Sequence, residues 1–244
     1  MPKVALPLVT GQEIAKSNQH SIGNGNIKLG KRIGTFSLPA IHTCELGSTP
    51  TCRDLCYACT SNSFFMMSNV IKRYQTNLAF SHTSEFVDSM VKQIRKKKLI
   101  AFRWHVSGDL YSPAYAAKIL SVISRTPEVN HYLYTRTWRS LKMRPIISAI
   151  ASQPNVLLWL SCDRDTGEPV EIPESRRAYL QVSEDDVPSY NVDLVFRDAP
   201  LRKTVVKRVS GAIVCPVENG VTNTTCQKCQ ICINPNRLNL PENR

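Results

Sequence analysis

Phe102-Arg103-Trp104-His105-Val106-Ser107-Gly108-Asp109-Leu110-Tyr111-Ser112-Pro113 reads as three pieces of one unit. The run from Leu99 to Val106 is apolar enough for a strand covered on both faces. Ser107-Gly108-Asp109 breaks it with turn residues. Ser112-Pro113 then opens a helix to Ser124, with proline at the first helical position, where its missing N–H costs nothing. Downstream the same alternation returns: a strand over His131 to Thr135, a helix over Leu141 to Ser152, and a strand over Val156 to Ser161 that ends in Cys162-Asp163. Ala178 to Val182 and Val192 to Phe196 read as two shorter strands. Upstream, Thr35 to Leu38 reads as a strand. Apolar residues from Phe64 to Phe80, then Phe86, Val87, Met90, Val91 and Ile94, recur at helical steps. Such alternation predicts βαβ crossovers and a parallel sheet, hence an α/β fold.

In parallel α/β sheets the chemistry collects at the C-terminal ends of the strands. His105, Ser107 and Asp109 fall there on one strand; Thr135, Arg136 and Trp138 on the next; Ser161, Cys162 and Asp163 on the third; Arg197 and Asp198 on the last. Just after the first strand comes Cys52-Arg53-Asp54-Leu55-Cys56-Tyr57-Ala58-Cys59. Three thiolates on one short loop could hold three irons of a four-iron cluster and leave the fourth open to a ligand. A second group, Cys215, Cys226, Cys229 and Cys232, has the four thiolates that close a site on zinc or on an iron–sulfur cluster. Cys44 reads either as a fourth ligand for the first group or as a small buried thiol. Cys162 reads as core. Nine cysteines, an odd number, with six of them in two clusters at two- and three-residue gaps, suit metal ligation better than disulfides.

The 244 residues suffice for one core, or for one core with a small appendage. No apolar run is long enough to span a membrane and the start lacks a signal-peptide core, so a cytoplasmic protein is expected. Thirty-one Lys and Arg against 19 Asp and Glu give a formal net charge of +12. That excess suits DNA or RNA as a partner, or else a solvated basic surface. Lys28, Lys31 and Arg32, on a Gly- and Asn-rich N-terminal arm or hairpin over 1–34, and Arg136, Arg139 and Arg144, near the strand ends, are the candidate phosphate contacts. No G-x-S-x-G elbow and no phosphate loop is present.

Cys52-x3-Cys56-x2-Cys59 resembles the cluster motif of the radical S-adenosylmethionine enzymes. The resemblance, over roughly residues 35–200, implies a partial (β/α) barrel with the cluster loop at 44–59; the second cysteine group marks 201–244 as a cysteine-rich metal-binding segment. The resemblance further implies a bound 4Fe-4S cluster, S-adenosylmethionine and an electron donor. Ser107-Gly108-Asp109 stands where that superfamily holds the methionine amino group, and Ser161 and Asp163 would also face the cofactor. Asp109 and His105 are the candidate catalytic residues. Asp is one methylene shorter than the usual Glu, and Ala58 stands where an aromatic usually precedes the third cysteine. The segments 102–113, Tyr134-Thr135-Arg136-Thr137-Trp138-Arg139 and Cys215-Pro216-Val217-Glu218-Asn219-Gly220 are similar to the phage proteins called the gene product 88 family. Together these imply a phage or mobile-element enzyme of radical type, and the basic charge suggests nucleic acid or a nucleotide as its substrate. The alternative is a non-catalytic iron–sulfur or zinc protein that binds nucleic acid on the same barrel.

Overall fold

A computed structural model describes residues 22–24, 27–60, 64–202, 209, 211–220 and 224–234. Seven strands form one sheet: β1 (Ile33–Phe36), β2 (Ala101–Trp104), β3 (Asn130–Thr135), β4 (Val156–Cys162), β5 (Ser175–Gln181), β6 (Leu194–Arg197) and β7 (Ile213–Val214). Every pairing is parallel and the spatial order is the chain order. Parallel crossovers are right-handed, so a chain that always steps in one direction puts its connecting helices on one face. The expected α/β class and parallel sheet hold; β1 and β7 are left as edges.

The helices on that face are α2 (Ser68–Ser81), α3 (Phe86–Lys96), α4 (Pro113–Ser124) and α5 (Arg144–Ala151); a short α1 (Pro50–Asp54) lies in the cysteine loop. Ser112 caps α4 by accepting from the Tyr115 N–H at 3.1 Å, with Pro113 next, as the sequence predicts. The helix over 141–152 starts later than expected: Leu141–Met143 is a 3-10 turn, and α5 begins at Arg144 ahead of Pro145.

Strand alternation sorts the side chains. Phe36, Phe102, Trp104, Leu133, Leu158 and Leu160 pack with Phe86, Met90, Ile119, Ile123 and Ile147 of the helix layer. Ile33, Ala101, Tyr132, Leu157, Trp159, Ala178 and Leu194 face the other way, where Cys215, Ile231 and Ile233 cover them. Where it is described, the 201–244 segment packs on this face of the sheet. It supplies β7, then the short helices α6 (Pro216–Asn219) and α7 (Cys226–Cys229), and seals what we call the cysteine face of the sheet.

The N-terminal hairpin expectation falls partly outside the described residues. Within them, Gly23 bridges Thr35 antiparallel. The turn at Lys28 and Leu29 accepts backbone N–H bonds from Cys226 and Gln227, both at 2.9 Å. Among the described residues no helix is long and apolar enough to cross a membrane.

Candidate metal centres

The strand ends gather at one rim, and the cysteine loop is pinned to it. Asp163, buried at the end of β4, accepts from the Thr49 hydroxyl at 2.7 Å and from the Arg136 guanidinium at 2.5 Å. Asp165 accepts from the Thr51 N–H at 2.8 Å, and Arg139 donates to the carbonyls of Gly47 and Ser48 at 3.1 and 3.2 Å. Gly47 must be glycine, since a Cβ there would lie 2.3 Å from the Arg136 carbonyl carbon. The ring of Tyr57 is exposed, while its hydroxyl turns in to donate to the Val106 carbonyl beyond β2.

Asp109 is buried and heavily used. Its carboxylate accepts from the Leu110 N–H and the Thr135 hydroxyl at 2.7 Å each, and from the Arg136 N–H at 2.9 Å. It thus ties the end of β2 to the end of β3. Burial raises its pKa; these donors work against that. Gly108 (φ +83°) takes a left-handed turn, and a Cβ there would lie 2.5 Å from the Thr43 hydroxyl. Ser107 is buried beside it and Ser161 is half-buried, its carbonyl accepting from the Trp138 indole at 3.1 Å.

His105 leaves the rim. At φ +58° its ring turns into the helix layer, where Nε2 meets the Tyr115 hydroxyl at 2.9 Å and Nδ1 has no partner among the described residues. Burial, with Arg103 adding to it, pulls its pKa down to about 3, so the ring is neutral.

Cys52 and Cys56 are half-buried and Cys59 is exposed. Their neighbours act on them. Burial raises the Cys52 pKa, with Arg136 opposing and Cys56, Asp163 and Asp109 adding to it. Cys56 is pushed up to about 11 by burial and by Cys59, and Cys44 to about 12 by burial and Asp109, with Cys52 and Cys56 also adding. Without a cation these sites disfavour thiolates; a coordinated metal reverses that. Among the described residues no three His, Cys, Asp or Glu side chains stand as a ready metal-holding group.

The second group lies on the cysteine face. Burial raises Cys226, with Arg103 and Lys28 opposing; Cys232 goes to about 12 through burial, with the Tyr134 hydroxyl opposing. Cys215 responds likewise to burial, Lys28, Cys229 and Arg103. The four cysteines therefore share one neighbourhood, and their donor chemistry fits zinc or an iron–sulfur cluster.

The six candidate phosphate contacts divide. Lys31 and Arg32 are exposed. Lys28 pairs with Glu218, which also pairs with Arg202. Arg136 and Arg139 hold the cysteine loop, and Arg144 donates to the Trp138 carbonyl at 3.1 Å. The sequence reading missed Thr49, Arg103, Tyr132 and Tyr134. The one signal it offered was a lone arginine inside the apolar run Ala101-Phe102-Arg103-Trp104.

The family model described as Gene product 88 matches residues 10–235. This chain belongs to the gene product 88 family. The "Gene 88 protein" of Mycobacterium phage L5 is 23% identical over 235 residues, covering 88% of this chain and 87% of that protein. The match to this gene product 88 member takes in both cysteine groups and every strand. No solved structure matches it.

Proposed function

We propose that this gene product 88 member is a phage-encoded iron–sulfur enzyme of the radical S-adenosylmethionine type, working on nucleic acid or a nucleotide in the host cytoplasm. The observation that carries the reading is positional. A parallel sheet in sequential order brings the Cys52-x3-Cys56-x2-Cys59 loop, which follows β1, to the ends of β2, β3 and β4, with Arg136, Asp163 and Asp109 acting on Cys52. Cys52, Cys56 and Cys59 would hold the rim cluster, and Cys215, Cys226, Cys229 and Cys232 a closed site. When bound, the rim cluster with S-adenosylmethionine supplies one-electron chemistry, drawing on an external electron donor. The chain's own share is to hold and shield. Asp163, Arg136 and Arg139 fix the loop. Ser107, Gly108 and Asp109 shape the rim beside it, and Ser161 and Asp163 close the β4 side. The exposed Lys31 and Arg32 supply charge for a polyanion.

A second reading, a non-catalytic metal-stapled protein that binds nucleic acid, is favoured by Asp109. Its carboxylate already accepts three hydrogen bonds, which leaves little capacity for a cofactor's amino group. Anaerobic purification with metal analysis and S-adenosylmethionine cleavage separates the two. The enzyme reading expects about eight irons, from two four-iron clusters, with release of 5′-deoxyadenosine. Zinc at both sites and no cofactor binding by calorimetry would discard it. For nucleic acid, binding to single strands should weaken with salt by a log–log slope of roughly −0.7 per phosphate contact.

A further inference from the structure

Three hydrogen-bond donors on the cysteine face lack a strong acceptor. The Arg103 Nε, the Tyr132 hydroxyl and the Tyr134 hydroxyl are shut off from solvent and make no well-formed hydrogen bond among the described residues; the Tyr134 hydroxyl faces only the sulfur of Cys232. They form one patch. Arg103 stands opposite Tyr132 in the β2–β3 register, and Tyr134 follows two residues on, pointing to the same face. The Arg103 guanidinium carbon lies 5.4 Å from the centre of the Tyr134 ring. Tyr134 in turn stacks on Trp159, with ring centres 5.7 Å apart and planes 20° apart, and the Trp159 indole donates to the Cys232 carbonyl at 3.3 Å.

Desolvated donors call for an acceptor, and a half-buried guanidinium whose Nε is cut off from water favours a negative one. Among the described residues no ion pair involves Arg103. Glu218, the carboxylate next to this layer, is occupied by Lys28 and Arg202. Cys215, Cys226 and Cys232 lie close enough to act on the patch electrostatically, and Cys229 belongs to the same covering layer. A neutral thiol is a weak acceptor, whereas thiolates on a metal are anionic and accept from N–H and O–H groups.

We propose that Arg103, Tyr132 and Tyr134 are the buried donor shell of a four-thiolate metal centre at Cys215, Cys226, Cys229 and Cys232, with Arg103 as its internal countercharge. The inference rests on the reading that these cysteines bind metal. It adds residues from two central strands, 80 or more positions away in sequence, that set how tightly the metal is held. It also explains why a charged residue interrupts an apolar strand. Arg103 does not ligate; it is a positioning residue acting through the sulfurs.

The test uses full-length protein purified anaerobically. Metal content is measured by mass spectrometry, metal release by transfer to a chromophoric chelator, and folding by far-ultraviolet circular dichroism. Cys226→Ser should lose the metal of one site and keep that of the other. Arg103→Met should release the C-terminal metal about 10- to 100-fold faster, the usual cost of removing an outer-shell partner, and should release it at higher pH. Arg103→Lys, which keeps the charge and loses the fork, should fall between. Tyr132→Phe and Tyr134→Phe each remove one oxygen from an unchanged ring. They should speed release several-fold, and they carry the test if Arg103→Met does not fold. If wild-type protein and Cys226→Ser hold the same metal, the four-cysteine reading fails and takes the inference with it. If Cys226→Ser loses metal but release is unchanged in Arg103→Met and both Phe variants, the donor shell alone is wrong. Stabilisation by inorganic phosphate that Arg103→Met abolishes, with metal release unchanged, would also overturn it, assigning the donors to a bound anion.

Discussion

Cys52, Cys56 and Cys59 lie on a loop at the open rim, with Cys59 exposed, whereas Cys215 is buried and Cys226, Cys229 and Cys232 pack on the hydrophobic layer of the cysteine face. The rim loop is held by polar contacts: Asp163 with Thr49 and Arg136, Asp165 with Thr51, Arg139 with two carbonyls. The C-terminal group is held by apolar burial, by backbone bonds to the Lys28–Leu29 turn and by the β7 pairing. The difference separates roles. A site wrapped in core is suited to hold a fold together, and a site on a polar tether at strand ends is suited to meet a ligand.

The sharpest way to break that comparison is to remove one cysteine from each group. Cys226→Ser should loosen residues 211–234 from the sheet, seen as new cleavage in limited proteolysis, whereas Cys56→Ser should leave the proteolytic pattern unchanged. The scale is that of structural metal ligation, on the order of 10 kcal/mol. Equal protection in both variants would erase the distinction.

A smaller effect probes the polar tether. Asp163→Ala leaves the Arg136 guanidinium and the Thr49 hydroxyl without their acceptor in a buried setting. It should cost about 3–5 kcal/mol, as for a broken buried ion pair, read from urea unfolding. A loss below about 1 kcal/mol would mean that the tether is solvated.

The helix layer supplies a pH test that involves neither cysteine group. His131 is buried between Trp104 and Thr126: the Trp104 indole donates to Nδ1 at 3.2 Å, and Nε2 lies 2.9 Å from the Thr126 hydroxyl. That hydroxyl donates to the Val122 carbonyl, so Nε2 carries the ring proton. Burial lowers the His131 pKa from 6.5 to about 3. Below pH 6.5 the unfolded chain therefore binds a proton that the folded chain refuses. Stability from His131 is fully present above pH 6.5 and is lost as the pH falls toward 3, by up to about 1.4 kcal/mol per pH unit. His105 adds a similar share. In His131→Gln the acid slope should be shallower by about that amount, and an unchanged slope would mean that the ring is solvated.

The smallest expected effect is at Arg139. It is exposed, and Arg139→Ala should cost about 1 kcal/mol or less while raising proteolytic access at residues 44–59 and leaving 211–234 alone. A change at the C-terminal segment would show that the two regions are coupled.

The sequence by itself determined the strand–turn–helix repeat, because apolar runs, Ser-Pro caps and polar strand ends are local signals. Six of the seven strands and the helices α2 to α5 are legible that way, as are both cysteine groups. β7 is not: Ile213–Val214 is too short to show a period, and only pairing with Leu194 and Val195 makes it a strand. The tertiary structure decided where side chains spend their hydrogen bonds. Asp109, expected at a cofactor, is engaged by Thr135 and the backbone of Leu110 and Arg136, because a carboxylate buried at a strand end takes the nearest donors. His105 turns into the helix layer through a positive φ, and Lys28 pairs with Glu218. Likewise the C-terminal cysteines and Arg103 stand far apart in the chain, and only a sheet stepping always in one direction leaves a face for the former to cover, with the latter beneath them.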